Sequence, residues 1–272
     1  KQKSSIIPKI SSGECFFAIG MSEPDSGSDL ASVKTKATKT ATGWNLEGRK
    51  IWSTGAHLCN YMIVLARTGP PSEKNRHEGL SQFLVDLSLP NVNIKGIPDM
   101  TGQRHFNETL FDNVQLSEDA LLGEEGKGWS QVVGELALER SGPERFLSHF
   151  TLLDRFINEF RNKLLKSGSN IIGKLIAELQ TLRRMSFSIA SMLQNGESPE
   201  TQAVFVKELG NKFEKTMIET LREFSNIIPL YEWPNQLQNL FEDATLRIPS
   251  NSLRGGTTEI MKGIIARQLG LR

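Results

Sequence analysis

With 272 residues and nearly balanced charge, 32 Lys and Arg against 31 Asp and Glu, the chain is long enough for one large domain or two ordinary ones, and it builds no field that would draw in nucleic acid or an anionic membrane. Its two cysteines, Cys15 and Cys59, form no CxxC pair and have no histidine cluster beside them, so neither a disulfide framework nor a metal site is suggested and a reducing compartment fits. No apolar run reaches the length of a membrane-spanning helix, and Lys1 to Lys9 lack the uninterrupted apolar core of a signal peptide.

The numbering opens at Lys1 rather than Met, and Ile6, Ile7, Pro8 and Ile10 run on toward a glycine, as expected of a piece that starts within a longer protein. From about residue 14 to 125 short apolar stretches alternate with turn residues: Cys15 to Ile19, Val33 to Lys36, Trp44 to Leu46, Lys50 to Ser53, Met62 to Ala66, Ser81 to Val85 and Asn93 to Ile97. Runs of that length bounded by Gly, Pro, Asn and Asp predict strands, and their recurrence predicts a small barrel or sandwich over residues 1–125. The segment Gly69 to Gly79, with two prolines and no apolar face, predicts a solvent loop between two of the strands.

Near Gly126 the apolar spacing changes to three and four residues, through Trp129, Val132, Val133 and Leu136 and then Phe146, Phe150, Leu153 and Phe156. Ile171 to Leu193 repeats it, and Gln194-Asn195-Gly196 stops it. Ser198-Pro199-Glu200 predicts a new helix with Ser198 as its cap and Pro199 in the first helical position, running to about Ile227. Pro229 and Pro234 break the chain, and Thr257 to Leu269 predicts a short last helix. The expected architecture is α+β, a β domain over 1–125 followed by an antiparallel helical bundle over 126–272.

Four stretches carry residue types suited to chemistry. Met21-Ser22-Glu23-Pro24-Asp25-Ser26-Gly27-Ser28-Asp29 gathers serines, a glycine and exposed N–H groups at a strand exit, as a phosphate-binding loop needs; an ordinary turn uses the same residues. Lys50-Ile51-Trp52-Ser53-Thr54-Gly55 offers a flat apolar wall beside hydroxyls, the surface a planar heteroaromatic ring needs, although a lone Trp is commonly core. Glu139, one turn after Glu135, stands at the rim of an apolar helical stripe where desolvation would raise its pKa toward that of a useful base; a solvated or arginine-paired glutamate is the alternative. Gly255-Gly256-Thr257-Thr258-Glu259 lets backbone amides approach an anion at a helix start, while capping by Thr257 or Thr258 explains the same residues without a ligand.

In their order and separation these stretches resemble the acyl-CoA dehydrogenases over nearly the whole chain. Met21 to Asp29 is similar to that family's T/S-E-P-x-A/S-G-S-D signature, Lys50 to Gly55 to its K-x-W-I/S-T-N/G strand, and Gly255 onward to its G-G-T-x-E-I helix start. Gly102-Gln103-Arg104, Phe111-Asp112-Asn113-Val114 and Leu122-Gly123-Glu124 resemble its second β-domain signature and the exit toward the bundle.

The resemblance implies FAD as cofactor and desaturation of an acyl-CoA to a trans-2-enoyl-CoA, with electrons passed to an external acceptor such as an electron-transfer flavoprotein. It implies cofactor contacts from Ile19, Met21, Ser22, Gly27, Ser28, Trp52, Ser53, Thr54, Thr257 and Glu259, and substrate contacts from Ser28, Arg140 and Gly256. Many members carry the catalytic glutamate where this chain has Gly255. A smaller set, including the isovaleryl-CoA type, carries it on the first helix of the bundle in an L-E-R context, which Glu139 matches, leaving Gly255 to supply an N–H to the thioester oxygen.

Two departures stand out. A helical domain of roughly a hundred residues normally precedes the point where this sequence begins, and nothing between Leu152 and Lys174 matches the R-x-x-F-G stretch that reaches FAD across a dimer interface. The resemblance implies a homodimer or homotetramer in the bacterial cytoplasm or the mitochondrial matrix. A non-catalytic subunit of a hetero-oligomeric dehydrogenase, an acyl-CoA oxidase, or a related flavin enzyme acting on a nitroalkane are the other readings.

Overall fold

The computed structural model describes residues 2–167 and 169–271. The chain divides into two compact units, one up to Val133 and one from Gly134, so the division falls inside a helix whose start lies near the expected boundary at residue 126.

The first unit opens with a helix, α1 (Gln2–Ser11), which the sequence pattern did not predict. Eight strands follow: β1 (Phe17–Gly20), β2 (Lys36–Thr40), β3 (Gly43–Thr54), β4 (Tyr61–Arg67), β5 (Leu80–Asp86), β6 (Val92–Ile97), β7 (Phe106–Ser117) and β8 (Leu121–Leu122). They join in the order β6-β7-β3-β2-β4-β5-β8, with β1 added parallel to β4. A single parallel pair, Lys36 with Arg67, links β2 to β4 and joins the strands β6-β7-β3-β2 to β4-β5-β8. Their inner faces share one core, in which Trp44 and Leu46 of β3 and Phe111 and Val114 of β7 are buried with Val64 of β4 and Phe83 of β5. Trp44 meets Phe83 edge to face at 5.2 Å. Alternate residues point inward, as the two-residue period of a pleated strand requires.

The predicted strands at Trp44 and Lys50 are two ends of one twelve-residue β3, whose register against β7 shifts between Leu46 and Gly48 and again between Lys50 and Ser53. The run predicted at Val33 to Lys36 lies earlier than β2, and β7, paired along nearly all of β3, was not predicted. Its polar residues disguise it: Asn107 and Thr109 are buried beside Phe111. The predicted loop Gly69 to Gly79 does connect β4 to β5.

Helix α2 (Gly128–Ser141) leads into the second unit, which holds α3 (Phe150–Ser167), α4 (Ser169–Gln194), α5 (Glu200–Phe224), α6 (Asn235–Asn251) and α7 (Thr258–Gln268). Short connections return each helix against its neighbours, α4 on α5, α3 on α6 and α5 on α7, as in an antiparallel bundle. The core centres on aromatic rings. Phe156 packs against Phe160, Phe224 and Trp233 with centroids 5.1–5.7 Å apart, and Trp233 donates Nε1–H to Ile228 O at 2.8 Å. The break at Pro229 and Pro234 therefore delivers a core residue. Pro199 occupies the cap position of α5 without a side-chain cap bond, so Ser198 does not cap it. Helix α6 was not predicted, because Pro249 near its end disguises a helix whose Leu237, Phe241 and Ala244 are buried.

Candidate functional site

In the first unit, β1 runs into the turn singled out by sequence. Gly20 has no room for a side chain, since a Cβ there would lie 2.6 Å from Met62 Sδ and 3.3 Å from Lys50 Cγ. Ser22 O accepts from Ile51 N at 2.9 Å, and Glu23 and Ser26 exchange backbone bonds of 2.9 and 3.0 Å. The turn is thereby fixed beside the end of β3, with Met21 and Ser22 half-buried and Gly27 and Ser28 exposed.

Beneath it lies an ion pair to which the sequence assigned no role. Lys50, 0% exposed, donates to Glu23 Oε1 and to Met21 O, both at 2.9 Å. The Glu23 carboxylate also accepts from Lys34 N at 2.6 Å and Thr35 N at 2.8 Å. Burial works to raise the Glu23 carboxyl, but the charge of Lys50 and these hydrogen bonds outweigh it and hold the pKa below the ordinary value. Burial outweighs the attraction of Glu23 at Lys50, bringing its ammonium down to about 8. These opposite tendencies belong to one buried pair; at neutral pH both partners carry charge, because each charge is hydrogen-bonded by the other. Glu23 and Lys50 lie far apart in sequence, and only the placement of β1 against β3 joins them.

Trp52 is 55% exposed and holds a left-handed backbone, φ 64°. A bulky residue in that region is strained and marks a position held by its surroundings. The strain sits in the second bulge of β3. It turns the indole outward against Phe106, edge to face at 6.0 Å, and leaves Thr54 exposed beside it. Ser53 points inward: its O accepts from Asn107 Nδ2 at 3.0 Å, and its buried hydroxyl has no hydrogen-bond partner among the described residues. Ile19, on the outer side of β1, is 49% exposed. An open indole, an open isoleucine and the hydroxyl-bearing Ser22 and Thr54 suit a planar, apolar ring with polar edges.

In the second unit, Glu139 lies in the last turns of α2. Its side chain is 41% exposed and pairs with Arg145, which is 3% exposed and also donates through Nε to Glu139 O at 3.2 Å. The expected desolvated rim gives way to an ion pair, and along the stripe Val132 is buried while Trp129, Val133 and Leu136 are half-buried. Gly255 has φ 68°, open to glycine and costly for other residues. A Cβ built on it would lie 3.3 Å from Arg145 Nη2, so one guanidinium serves Glu139 and faces the Gly255 position.

Two further cations grip the same loop. Arg140 donates to Gly255 O at 3.1 Å, and Lys207, buried in α5 and absent from the sequence-based candidates, donates to Gly256 O. Burial, reinforced by Arg145 and Arg140, lowers Lys207 to about 8, and burial likewise lowers Arg140. With its amide oriented to satisfy its neighbours, Asn211 accepts from Lys207 Nζ at 3.1 Å. Thr257 caps α7, accepting from Ile260 N at 3.4 Å. The exposed Glu259 carboxyl is lowered by its own N–H and by the Thr257 hydroxyl. Among the described residues, no three or more His, Cys, Asp or Glu are grouped to hold a metal ion, and no helix is long and apolar enough to cross a membrane.

Residues 18–114 match the family profile "Acyl-CoA dehydrogenase, middle domain". The chain is 30% identical over 270 residues to the acyl-CoA dehydrogenase FadE34 of Mycobacterium tuberculosis, covering 99% of this chain and 37% of that protein's length. It is 31% identical over 280 residues to the acyl-CoA dehydrogenase IpdE1 of the same organism, covering 100% of this chain and 71% of that protein. Among solved structures, the ChsE4-ChsE5 complex from M. tuberculosis superposes with a TM-score of 0.82 at 25% identity, over 100% of this chain and 73% of the matched one.

Proposed function

The chain belongs to the acyl-CoA dehydrogenase family, and from that premise we propose that it carries the flavin-facing and base-bearing parts of an enzyme that desaturates an acyl-CoA thioester to a trans-2-enoyl-CoA, with Glu139 as the base. The observation that supports Glu139 is the guanidinium it shares with Gly255. The carboxylate on α2 sits beside the position that a glutamate fills in many relatives.

The residues divide the work as follows. Ile19, Met21, Ser22, Gly27, Ser28, Trp52 and Thr54 form the FAD-facing side of the first unit, Trp52 as the wall and Ser22 and Thr54 as the hydrogen-bonding edge, whereas Ser53, which the sequence also pointed to, is turned into the interior. FAD, when bound, supplies the acceptor for the β-hydrogen. By the family resemblance, Thr257 and Glu259 would serve the cofactor's adenosine end, Ser28 in the first unit would serve the CoA moiety, and Arg140 and Gly256 in the second would serve the substrate. Removing an α-proton next to a thioester requires stabilising the oxygen as negative charge develops there. The Gly255 N–H is the protein donor for that oxygen, in a loop whose carbonyls Arg140 and Lys207 hold in place. Glu139 takes the proton after its carboxylate turns from Arg145 to the α-carbon. An external acceptor of the electron-transfer flavoprotein type would take up the electrons. A homodimer or homotetramer, in the bacterial cytoplasm or the mitochondrial matrix, completes this reading.

The test is Glu139→Gln in the flavin-loaded protein. Flavin content is expected to persist while turnover of acyl-CoA falls by roughly a hundredfold or more, the contribution of a positioned general base. Near-normal bleaching of the flavin by substrate in the variant removes Glu139 from the mechanism.

A second reading, a non-catalytic subunit of a hetero-oligomer, draws on the missing carboxylate at Gly255 and on the ChsE4-ChsE5 neighbour, a complex of two named chains. A purified protein that binds no flavin and gains activity only on mixing with a second chain would favour it.

A further inference from the structure

We propose that Cys15 and Cys59 form an oxidisable dithiol that closes to an intramolecular disulfide, a modification site in the first unit that stands apart from the dehydrogenase chemistry. In sequence the two are remote, and both are free thiols. The fold brings them together through the parallel pairing of β1 with β4, in which Phe17 is the register partner of Tyr61. The Phe17 and Tyr61 rings stack at 5.5 Å and 26°, so both side chains leave the same face. Cys15 and Cys59 lie two residues before that pair, just ahead of the first residues of the two strands. Phe16 O still accepts from Tyr61 N at 3.3 Å and from Asn60 N at 3.0 Å, and Phe16 N donates to Asn60 Oδ1 at 2.9 Å, so the chains remain side by side as they leave the ladder. Cys59 keeps an extended backbone, φ −97° and ψ 153°.

A disulfide spans about 4.4–6.8 Å between Cα atoms, and the hydrogen bonds between Phe16 and Asn60 keep the segments on either side within reach of one another. The two cysteines line one cavity of about 410 Å³ with His57, Asn60, Tyr61 and Asp86. That space admits a small hydroperoxide. Burial raises the Cys59 thiol and Cys15 raises it further, so their proximity is felt electrostatically as well. Cys15 is 5% exposed and Cys59 half-buried, which makes Cys59 the attacking group.

The oxidant is hydrogen peroxide. The Cys59 thiolate attacks one peroxide oxygen, the O–O bond breaks, and Cys59 becomes a sulfenic acid as the leaving hydroxide takes up the thiol proton to form water. Cys15 sulfur then attacks the sulfenic sulfur, the S–O bond breaks, and a second water leaves with the Cys15 proton. Two thiols lose two hydrogens and two electrons, and one peroxide becomes two waters. The reduced Cys59 thiol donates to Gly55 O at 3.3 Å, next to Thr54. Oxidation removes that donor, so the change is transmitted to the end of β3.

The experiment treats the purified protein with hydrogen peroxide in mildly alkaline buffer, followed by alkylation and peptide mapping by mass spectrometry. The expected result is a monomer two hydrogens lighter, with both thiols gone, a cross-linked peptide pair containing Cys15 and Cys59, and full return on reduction. Cys15→Ser is expected to accumulate a dimedone-reactive sulfenic acid at Cys59 and no intramolecular link. The proposal is overturned if the wild-type chain keeps both thiols while a control dithiol protein oxidises, if it links only between molecules, or if Cys59 passes directly to sulfinic acid with Cys15 still reduced. Neither flavin nor acyl-CoA turnover enters the readout, so failure here leaves the dehydrogenase reading untouched.

Discussion

Lys50→Met tests whether the turn that faces the flavin in our proposal is held from beneath by the buried pair. The substitution keeps most of the side chain's length and removes its charge. Lys50 Nζ makes two bonds, to Glu23 Oε1 and Met21 O, at full burial; without it, Glu23 keeps only the Lys34 and Thr35 N–H groups and Met21 O loses that donor. Removing one partner of a buried pair costs about 3–5 kcal/mol, because the other charge stays behind uncompensated. At about 1.4 kcal/mol per tenfold, amide exchange governed by opening of the first unit accelerates by roughly a hundredfold or more. Hydrogen exchange read on peptides covering β1, β3 and β4 isolates that unit from the helices. Glu23→Gln with Lys50→Met then removes the stranded charge, so the double variant is expected to lose less than the two singles summed, with a coupling of about 1–3 kcal/mol. A loss below about 1 kcal/mol for Lys50→Met, far under the cost of an uncompensated buried charge, or singles that add within about 0.5 kcal/mol, would refute the reasoning.

Trp52→Asn exchanges a strained left-handed Trp for a residue that tolerates φ 64°; stability is expected to change by no more than about 1 kcal/mol, while flavin affinity, measured by fluorescence titration, falls. A variant that binds flavin as the parent does removes Trp52 from the flavin wall. His149, buried beside Asn251 and facing Arg254 and Arg247, is lowered to about 4 by burial first and those cations second. Because the unfolded chain takes up the proton near pH 6.5 and the folded chain only near 4, stability of the second unit is expected to decline as pH falls through that window, by at most about 3 kcal/mol. The raised carboxyl of Glu214 acts in the opposite sense. Comparing acid unfolding of the parent with His149→Gln isolates the histidine, and identical pH profiles for the two would contradict it.

Much of the fold was legible because burial writes a period into the chain. The short apolar runs Met62 to Ala66 and Ser81 to Val85, set between turn residues, and the three-and-four spacing of Phe146, Phe150, Leu153 and Phe156 placed a sheet before a bundle. Helix α6 and strand β7 escaped, the first behind Pro249 and the second behind buried Asn107 and Thr109, whose polar groups break the apolar pattern. Among the candidate residues of the two units, Trp52, Ser22, Glu139 and Gly255 were singled out from local sequence, since each sits in a short run whose residue types declare a turn, a wall or a helix start. Lys50 and Lys207 were not, because a lysine in sequence looks solvated until packing buries it.

The sequence by itself determined the order of β and α regions, the near-neutral charge and the stretches that face a flavin and an acyl-CoA in the family. Tertiary structure alone decided which distant residues come together: Glu23 with Lys50 under the turn, Arg145 between Glu139 and Gly255, and Cys15 with Cys59 around one cavity. Backbone periodicity is a local property and survives in a string of letters. Long-range pairing depends on strand register and helix packing, and these arise only when the chain closes on its core.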